Sequence, residues 1–247
     1  MRPLLLVHGV SSNARHTYGT PGWLWKHPKK DSMFNFLLGR GYRPGQDLFW
    51  YSYPTLAPIL SSARRLQTEI AGVQRISGSR EVDLLAFSLG GIIGKYYLIS
   101  PLYQNEIRKI IMIAPPFYGS RRADLCKTSF RKLNGDLLFP GDSHGLSVQI
   151  LGAGHPLLLE LAASPFPPGV KTTVIAMKIR LNERKGLDAW FQRRISAWIG
   201  EGDQTVAVES TNIAVDHRYI VEEDYSYRAE HGFLPRHPKI KEIVGRE

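Results

Sequence analysis

Residues 82–97 read VDLLAFSLGGIIGKYY, and this stretch decides the fold. An apolar run typical of a buried strand leads into Ser88, and a helix-forming segment follows at once. Ala86 and Gly90 stand two residues before and after the serine, and Gly91 comes next. Small residues at these positions permit the sharp strand-to-helix turn, called a nucleophile elbow, that exposes a serine hydroxyl. The stretch therefore predicts a nucleophilic serine, although the pattern also fits a glycine-rich junction at which Ser88 only caps the helix.

The rest of the chain alternates between predicted strands and helices, which indicates an α/β fold with a mainly parallel sheet and helices on both faces. Short β-branched or aromatic runs predict strands at residues 3–7, 48–53, 82–86, 108–114, 171–179 and 213–221. Capping residues and helical spacing predict helices at residues 32–39, 59–76, 90–100, 187–199 and 237–244. A chain of 247 residues is long enough for one sizeable domain and short for two, so we expect a single domain over residues 1–247.

Residues 115–170 break this alternation with many prolines and glycines, and apolar residues at 137–139 and 157–159 stand between them. An insertion of this length after a strand is more typical of a functional element than of a simple connector. We predict that it forms a mobile cap, or lid, whose apolar residues cover the cleft above Ser88. The alternative is that these residues pack rigidly onto the sheet.

The formal net charge is +10, but no recognisable nucleic-acid-binding module accompanies it, so no nucleic-acid partner is expected. A solvated basic surface is the first explanation, and weak contact with an anionic membrane surface is the second. The single cysteine excludes an internal disulfide. The sequence shows no signal peptide and no apolar segment of about 20 residues, which predicts a cytoplasmic protein; a secreted mature form is the alternative. Its oligomeric state is left open.

A serine hydroxyl is a poor nucleophile unless a base accepts its proton and an acid orients that base. Asp203 lies in the segment GEGDQTV (residues 200–206), after the strand predicted at 171–179. Loops that follow strands at the carboxyl edge of an open α/β sheet hold active sites, which favours Asp203 as the acid. It could instead bond only its own backbone in a turn, and Asp188 and Asp216 are its rivals.

The base has to be one of eight histidines. His231 follows the last predicted strand and completes the order Ser, Asp, His that this arrangement uses along the chain. His237, next to Pro238 at the start of the last predicted helix, is the alternative.

Two backbone N–H groups are needed to bind the oxyanion that forms during attack on a carbonyl group. Leu89 should supply one, because it follows the nucleophile. Val10 should supply the other from the loop after the first strand, where Gly9 allows a close turn. His8 precedes that turn, and we expect its role to be structural, since a base here would violate the chain order.

Together these motifs resemble the α/β-hydrolase fold lipases and esterases. The nearest resemblance is to small bacterial lipases with Ala at the elbow, and to the class 2 and inositol-deacylase-like lipases. It is carried by His8 and Gly9, by His231, and by residues 86–90, 114–120 and 202–206.

The resemblance implies a serine hydrolase that cleaves carboxylic esters, small or lipid, through an acyl-enzyme intermediate. It implies a triad of Ser88, Asp203 and His231, a cap at residues 115–170, and no cofactor or metal. Phe87 stands where the family often has His, and Gln204 where it commonly has Gly, so the substrate class stays open. An acyltransferase or thioesterase with the same triad is the nearest alternative, and a non-catalytic ligand-binding protein on this fold is the second.

Overall fold

A computed structural model of the chain describes residues 1–10, 12–20, 31–55, 57–124, 150–180, 194, 197–224 and 229–247. Within these ranges six strands form one sheet in the order β2-β1-β3-β4-β5-β6, and every neighbouring pair is parallel. The strands are β1 (Leu4–Val7), β2 (Leu48–Tyr51), β3 (Val82–Phe87), β4 (Ile107–Ile113), β5 (Lys171–Arg180) and β6 (His217–Asp224). The helices are α1 (Ala14–Tyr18), α2 (Met33–Gly39), α3 (Ile59–Ser77), α4 (Leu89–Ile99), α5 (Pro156–Ala163) and α6 (Pro238–Arg246), with 3-10 helices at Glu209–Thr211 and His231–Arg236.

Both faces of the sheet are buried, because successive side chains of a strand point to opposite faces. Leu84 and Ala86 of β3 lie in an apolar cluster with α3, α4 and α5. Leu85 and Phe87, the alternate residues of β3, lie in a second cluster with α2 and α6. The predicted fold class, a mainly parallel sheet with helices on both faces, is confirmed.

The last strand begins later than predicted. The sequence predicts a strand over residues 213–221, whereas β6 spans His217–Asp224. The Asp216 carboxylate accepts hydrogen bonds from the Thr172 N–H at 2.7 Å and the Thr172 hydroxyl at 2.9 Å, so a side chain takes the place of ladder pairing before β6. Ile213 is buried in the first apolar cluster without belonging to the sheet.

The predicted cap is described over residues 115–124 and 150–170 only, and the apolar residues at 137–139 lie outside the described residues. In its later part, α5 buries Leu158 in the same cluster as α4 and contacts α4, whereas Leu159 is 43% exposed. The Lys95 ammonium on α4 donates to the Ser164 carbonyl at 2.6 Å and fixes the end of α5. A mobile cap over residues 115–170 stays a prediction.

The helix predicted over residues 187–199 lies largely outside the described residues and also stays a prediction. Across the described ranges, no helix is both long enough and apolar enough to cross a membrane.

Candidate active site

Ser88 occupies the junction between β3 and α4 in a strained backbone conformation. Its φ is 52° and its ψ is −121°, in a region that residues other than glycine adopt at an energetic cost. The Ser88 side chain makes no capping hydrogen bond to α4, contrary to the alternative in which it only caps the helix. The hydroxyl instead faces the His231 ring.

Small residues around Ser88 allow α4 to press against the neighbouring strand. A Cβ atom on Gly90 would lie 2.5 Å from the Val7 carbonyl oxygen and 2.6 Å from that of His8. A Cβ atom on Gly91 would lie 2.9 Å from the Pro115 Cβ. Any larger residue at Gly90 would therefore push the start of α4 away from β1 and distort the strand-to-helix turn at Ser88.

A continuous line of hydrogen bonds joins Ser88, His231 and Asp203. The Ser88 Oγ lies 2.9 Å from His231 Nε2, and His231 Nδ1 lies 2.6 Å from Asp203 Oδ2. With its proton on Nδ1, the imidazole donates to the carboxylate and accepts from the serine hydroxyl. The His231 side chain is 12% exposed and that of Asp203 is 1% exposed, so the imidazole keeps some contact with solvent while the carboxylate is shielded from water.

The backbone of its own loop holds the second oxygen of the Asp203 carboxylate. Asp203 Oδ1 accepts from the Thr205 N–H at 3.0 Å and the Val206 N–H at 2.7 Å. The turn bonds that were the alternative role for Asp203 are thus present, and they leave Oδ2 free to face the imidazole. The loop is tight: Gln204 has a φ of 67°, and a Cβ atom on Gly202 would lie 2.1 Å from the Val206 carbonyl oxygen.

The rival residues do not join this line. His237 is buried, and its Nε2 lies 3.8 Å from a Glu223 carboxylate oxygen. Asp216 is engaged with Thr172, whose two hydrogen bonds lower the pKa of its carboxyl. Asp188 lies outside the described residues.

The loop after β1 packs directly against the elbow. A Cβ atom on Gly9 would lie 3.0 Å from Phe87 Cδ1 and 3.1 Å from Ser88 Cβ, so a side chain at this position would require Phe87 and Ser88 to shift by a few tenths of an ångström. Within the described ranges, the backbone N–H groups of Val10 and Leu89 donate no hydrogen bond outside regular helix and strand pairing. The start of α4 adds its positive dipole end to the same place. The arrangement can stabilise negative charge beside the Ser88 Oγ.

Three contacts of the site carry no sequence signal of their own. The Phe87 ring lies 4.8 Å from the His231 ring, centroid to centroid, and supports one face of the imidazole. The Ser120 hydroxyl donates to the Thr205 carbonyl, and Arg122 Nη1 donates to the Gln204 carbonyl at 3.3 Å. The segment after β4 thereby holds the loop that carries Asp203. Residues 114–120 were singled out only through the family resemblance.

Among the described residues there is no group of three or more metal-ligating side chains that could hold a metal ion.

Several solved structures match nearly the whole chain. The mature Bacillus licheniformis lipase BlEst2 aligns with a TM-score of 0.65 and 18% identity, covering 95% of this chain and 86% of that one. The metagenomic carboxyl esterase MGS0156 aligns with a TM-score of 0.66 and 14% identity, covering 99% and 74%. The phospholipase PlaB from Legionella pneumophila aligns with a TM-score of 0.61 and 17% identity, covering 86% and 46%. These similarities show that the chain has the α/β-hydrolase fold, as the sequence resemblance implies.

Sequence similarity to curated proteins is more limited. Phospholipase A(1) LCAT3 of Arabidopsis thaliana is 31% identical over 96 residues, which make up 36% of this chain and 21% of that protein. The match thus spans about one fifth of the length of this relative. No protein-family model matches the chain.

Proposed function

We propose that this chain, an α/β-hydrolase by fold, is a serine hydrolase that cleaves carboxylic esters with Ser88 as nucleophile, His231 as base and Asp203 as acid. The observation that carries the proposal is the line of hydrogen bonds from Ser88 Oγ through the two nitrogens of His231 to Asp203 Oδ2. The matched structures described as lipase, esterase and phospholipase support the same reaction class.

The proposed reaction begins when His231 Nε2 takes the hydroxyl proton as Ser88 Oγ attacks the ester carbonyl carbon. The carbonyl oxygen becomes an oxyanion that the N–H groups of Val10 and Leu89 bind, while Asp203 stabilises the imidazolium. His231 then gives the proton to the departing alcohol, and the acyl group stays on Ser88. Water, deprotonated by the same imidazole, releases the acid and restores the hydroxyl.

The test is covalent labelling of the native chain with a fluorophosphonate, followed by identification of the labelled peptide. We expect phosphonylation of Ser88 and loss of p-nitrophenyl ester hydrolysis in the same proportion, with no labelling after Ser88→Ala. A folded chain that binds the probe without forming the bond at Ser88 would be a ligand-binding protein, and the proposal would fall.

The substrate class is also a proposal. We propose that the substrate is an acyl or lipid ester. It would be either a small molecule or a lipid in a membrane, and it would bind beneath the cap predicted at residues 115–170. Each buried methylene of an acyl chain contributes about 0.8 kcal/mol, so an apolar pocket should raise kcat/KM several-fold per carbon until it is full. Measuring p-nitrophenyl esters from two to twelve carbons decides this, because a flat or falling series contradicts an apolar cap. Comparison with an acyl thioester and with an added alcohol acceptor separates esterase, thioesterase and acyltransferase.

The positive net charge supports a further part of the proposal, contact with an anionic membrane surface. Co-sedimentation with vesicles of anionic phospholipid, against vesicles of neutral phospholipid, tests it at two salt concentrations. Equal binding to both would contradict it.

A further inference from the structure

His8 is buried directly after β1, and both nitrogens of its ring are engaged. Its Nε2 accepts a hydrogen bond from the Tyr53 N–H at 3.2 Å, and its Nδ1 lies 2.9 Å from the Gly9 carbonyl oxygen. A carbonyl oxygen only accepts, so the proton of the neutral ring lies on Nδ1 and is donated to Gly9. Burial lowers the pKa of His8 and so favours this neutral form.

The Gly9 carbonyl belongs to the same planar peptide group as the Val10 N–H. A trans peptide is rigid, so fixing the direction of its C=O also fixes the direction of its N–H. The hydrogen bond from His8 therefore orients the N–H that the proposed mechanism uses to bind the oxyanion. A donor in an oxyanion hole acts only when it points at the position where negative charge develops.

Tyr53 fixes His8 in three ways. Its N–H donates to the ring, its hydroxyl donates to the His8 carbonyl at 2.7 Å, and its ring stacks on the imidazole at 4.3 Å between centroids. The same His8 carbonyl lies against Gly90, where an added Cβ atom would approach it to 2.6 Å. Tyr53 thus fixes the backbone of His8, which lies against Gly90 and leads into the loop that carries Val10.

We propose that Tyr53 is a positioning residue which, acting through His8, aims the Val10 N–H at the oxyanion. The inference rests on the proposed function, because it assigns a role within the same reaction. Tyr53 follows β2, 45 residues away from His8, and belongs to none of the sequence motifs.

The test compares Tyr53→Phe with Tyr51→Phe. Both tyrosines are buried and both hydroxyls donate to a backbone carbonyl, but the Tyr51 hydroxyl donates to Ser62 at 3.4 Å, whereas the Tyr53 hydroxyl donates to His8. Removal of an oxyanion donor costs about 10²–10³ in kcat, so a misdirected donor should cost about tenfold. We expect that loss of kcat in Tyr53→Phe at unchanged KM, and near-wild-type kcat in Tyr51→Phe.

A second readout separates aiming from stability. Sulfur accepts hydrogen bonds poorly, so an intact oxyanion hole should favour a p-nitrophenyl ester over its thiono analogue more strongly than a misaligned one does. We expect this preference to shrink in Tyr53→Phe and to stay at the wild-type value in Tyr51→Phe. Rates are taken per labelled Ser88, so that a loss of folded protein does not count as a loss of kcat.

Two variants of His8 keep the test decisive if Tyr53→Phe folds poorly. In His8→Asn the amide nitrogen can stand near the position of Nδ1 and donate to Gly9, whereas His8→Leu has no donor. We expect His8→Asn to retain several-fold more kcat than His8→Leu. Equal kcat in these two variants, or equal kcat and thiono preference in Tyr53→Phe and Tyr51→Phe, would overturn the inference. If wild-type Ser88 neither reacts with the probe nor hydrolyses esters, the proposed function itself has failed.

Discussion

The two ends of β3 each bury a polar side chain, but they hold it by different means. At the amino end, Asp83 lies 3.4 Å from Arg2 Nε and 3.9 Å from Lys109 Nζ. Its Oδ1 has no hydrogen-bond partner among the described residues, and burial raises its pKa. At the carboxyl end, Ser88 is neutral and bonded to His231.

The difference lies in what fixes the geometry. Arg2 and Lys109 are long side chains, and that of Arg2 is half-exposed, so the charge of Asp83 is balanced without being held in one position. Around Ser88, backbone groups fix the positions of the side chains. Asp203 accepts hydrogen bonds from two backbone N–H groups, and the turn at Gly9 lies close against Ser88. Backbone dipoles cost no reorganisation during a reaction, so the carboxyl end is suited to chemistry and the amino end is not.

Replacing the proposed nucleophile, Ser88, should give the largest effect. Ser88→Ala removes the attacking oxygen, and loss of one triad member costs about 10⁶-fold in kcat where the three act as a unit. Initial rates on a p-nitrophenyl ester measure it, with Asp83→Asn as the control at the other end of β3, expected within twofold of wild type. Turnover of Ser88→Ala above a thousandth of wild type would assign the reaction to another group.

Replacing the proposed base, His231, should cost nearly as much activity, and it distinguishes His231 from His237. His231→Ala leaves the Ser88 hydroxyl without a proton acceptor, so we expect a loss of kcat approaching that of Ser88→Ala. His237→Gln keeps a polar side chain next to Glu223 and should leave kcat within twofold of wild type. The opposite ranking of these variants would move the role of base to His237.

Replacing the proposed acid, Asp203, should have a smaller effect. In Asp203→Asn the amide can keep a bond to the imidazole but favours the wrong tautomer and cannot stabilise the imidazolium, which costs about 10⁴ in kcat. The kcat of Asp203→Asn, measured across the pH range and compared with that of wild type, gives the size of this loss. A loss below tenfold would show that the loop serves only to bury the carboxylate.

The strand-to-helix turn at Ser88 can be disturbed without changing any of the proposed catalytic side chains. Gly90→Ala places a methyl group 2.5 Å from the Val7 carbonyl oxygen, and overpacking of this kind costs about 1–3 kcal/mol of unfolding free energy. Gly72→Ala on α3 is the matched control, because nothing lies within 4 Å of the added atom there. Gly72→Ala should gain about 0.5–1 kcal/mol, since alanine is the better helix former. Urea unfolding of the two variants gives the comparison, and equal stabilities would contradict the close approach of α4 to β1.

The sequence predicts the region around Ser88 best because several local signals agree there. The apolar period gives β3 and α4, and the small residues at Gly90 and Gly91 indicate the close turn. The predicted start of β6 is wrong because the apolar residues Ile213 and Val215 resemble part of a strand. In the structure, the side chain of Asp216 determines where strand pairing begins.

Contacts between distant residues left no pattern to recognise. Tyr53 meets His8 across 45 residues, and Phe87 meets the His231 ring. The 3-10 helix His231–Arg236 contains both Gly232 and Pro235, which oppose a helical prediction, so its residues resemble a loop. Local periodicity could locate the site's strands and turns, but not these side-chain supports.

The smallest expected effect is at the amino end of β3. Burial outweighs the nearby cations and raises the pKa of Asp83 above that of the unfolded chain. The native state therefore holds the proton of Asp83 more tightly than the unfolded chain does. As the pH rises through the native pKa, the protein loses unfolding free energy relative to a variant with a neutral residue at this position. Asp83→Asn should consequently gain unfolding free energy relative to wild type as the pH rises from acid to neutral. Arg2 and Lys109 both retain some contact with water, so the variant does not leave a buried cation without a counter-charge. Urea unfolding of both proteins across this pH range measures the difference in unfolding free energy. A variant that loses unfolding free energy relative to wild type toward neutral pH would show that the ion pairs affect the Asp83 carboxylate more than burial does.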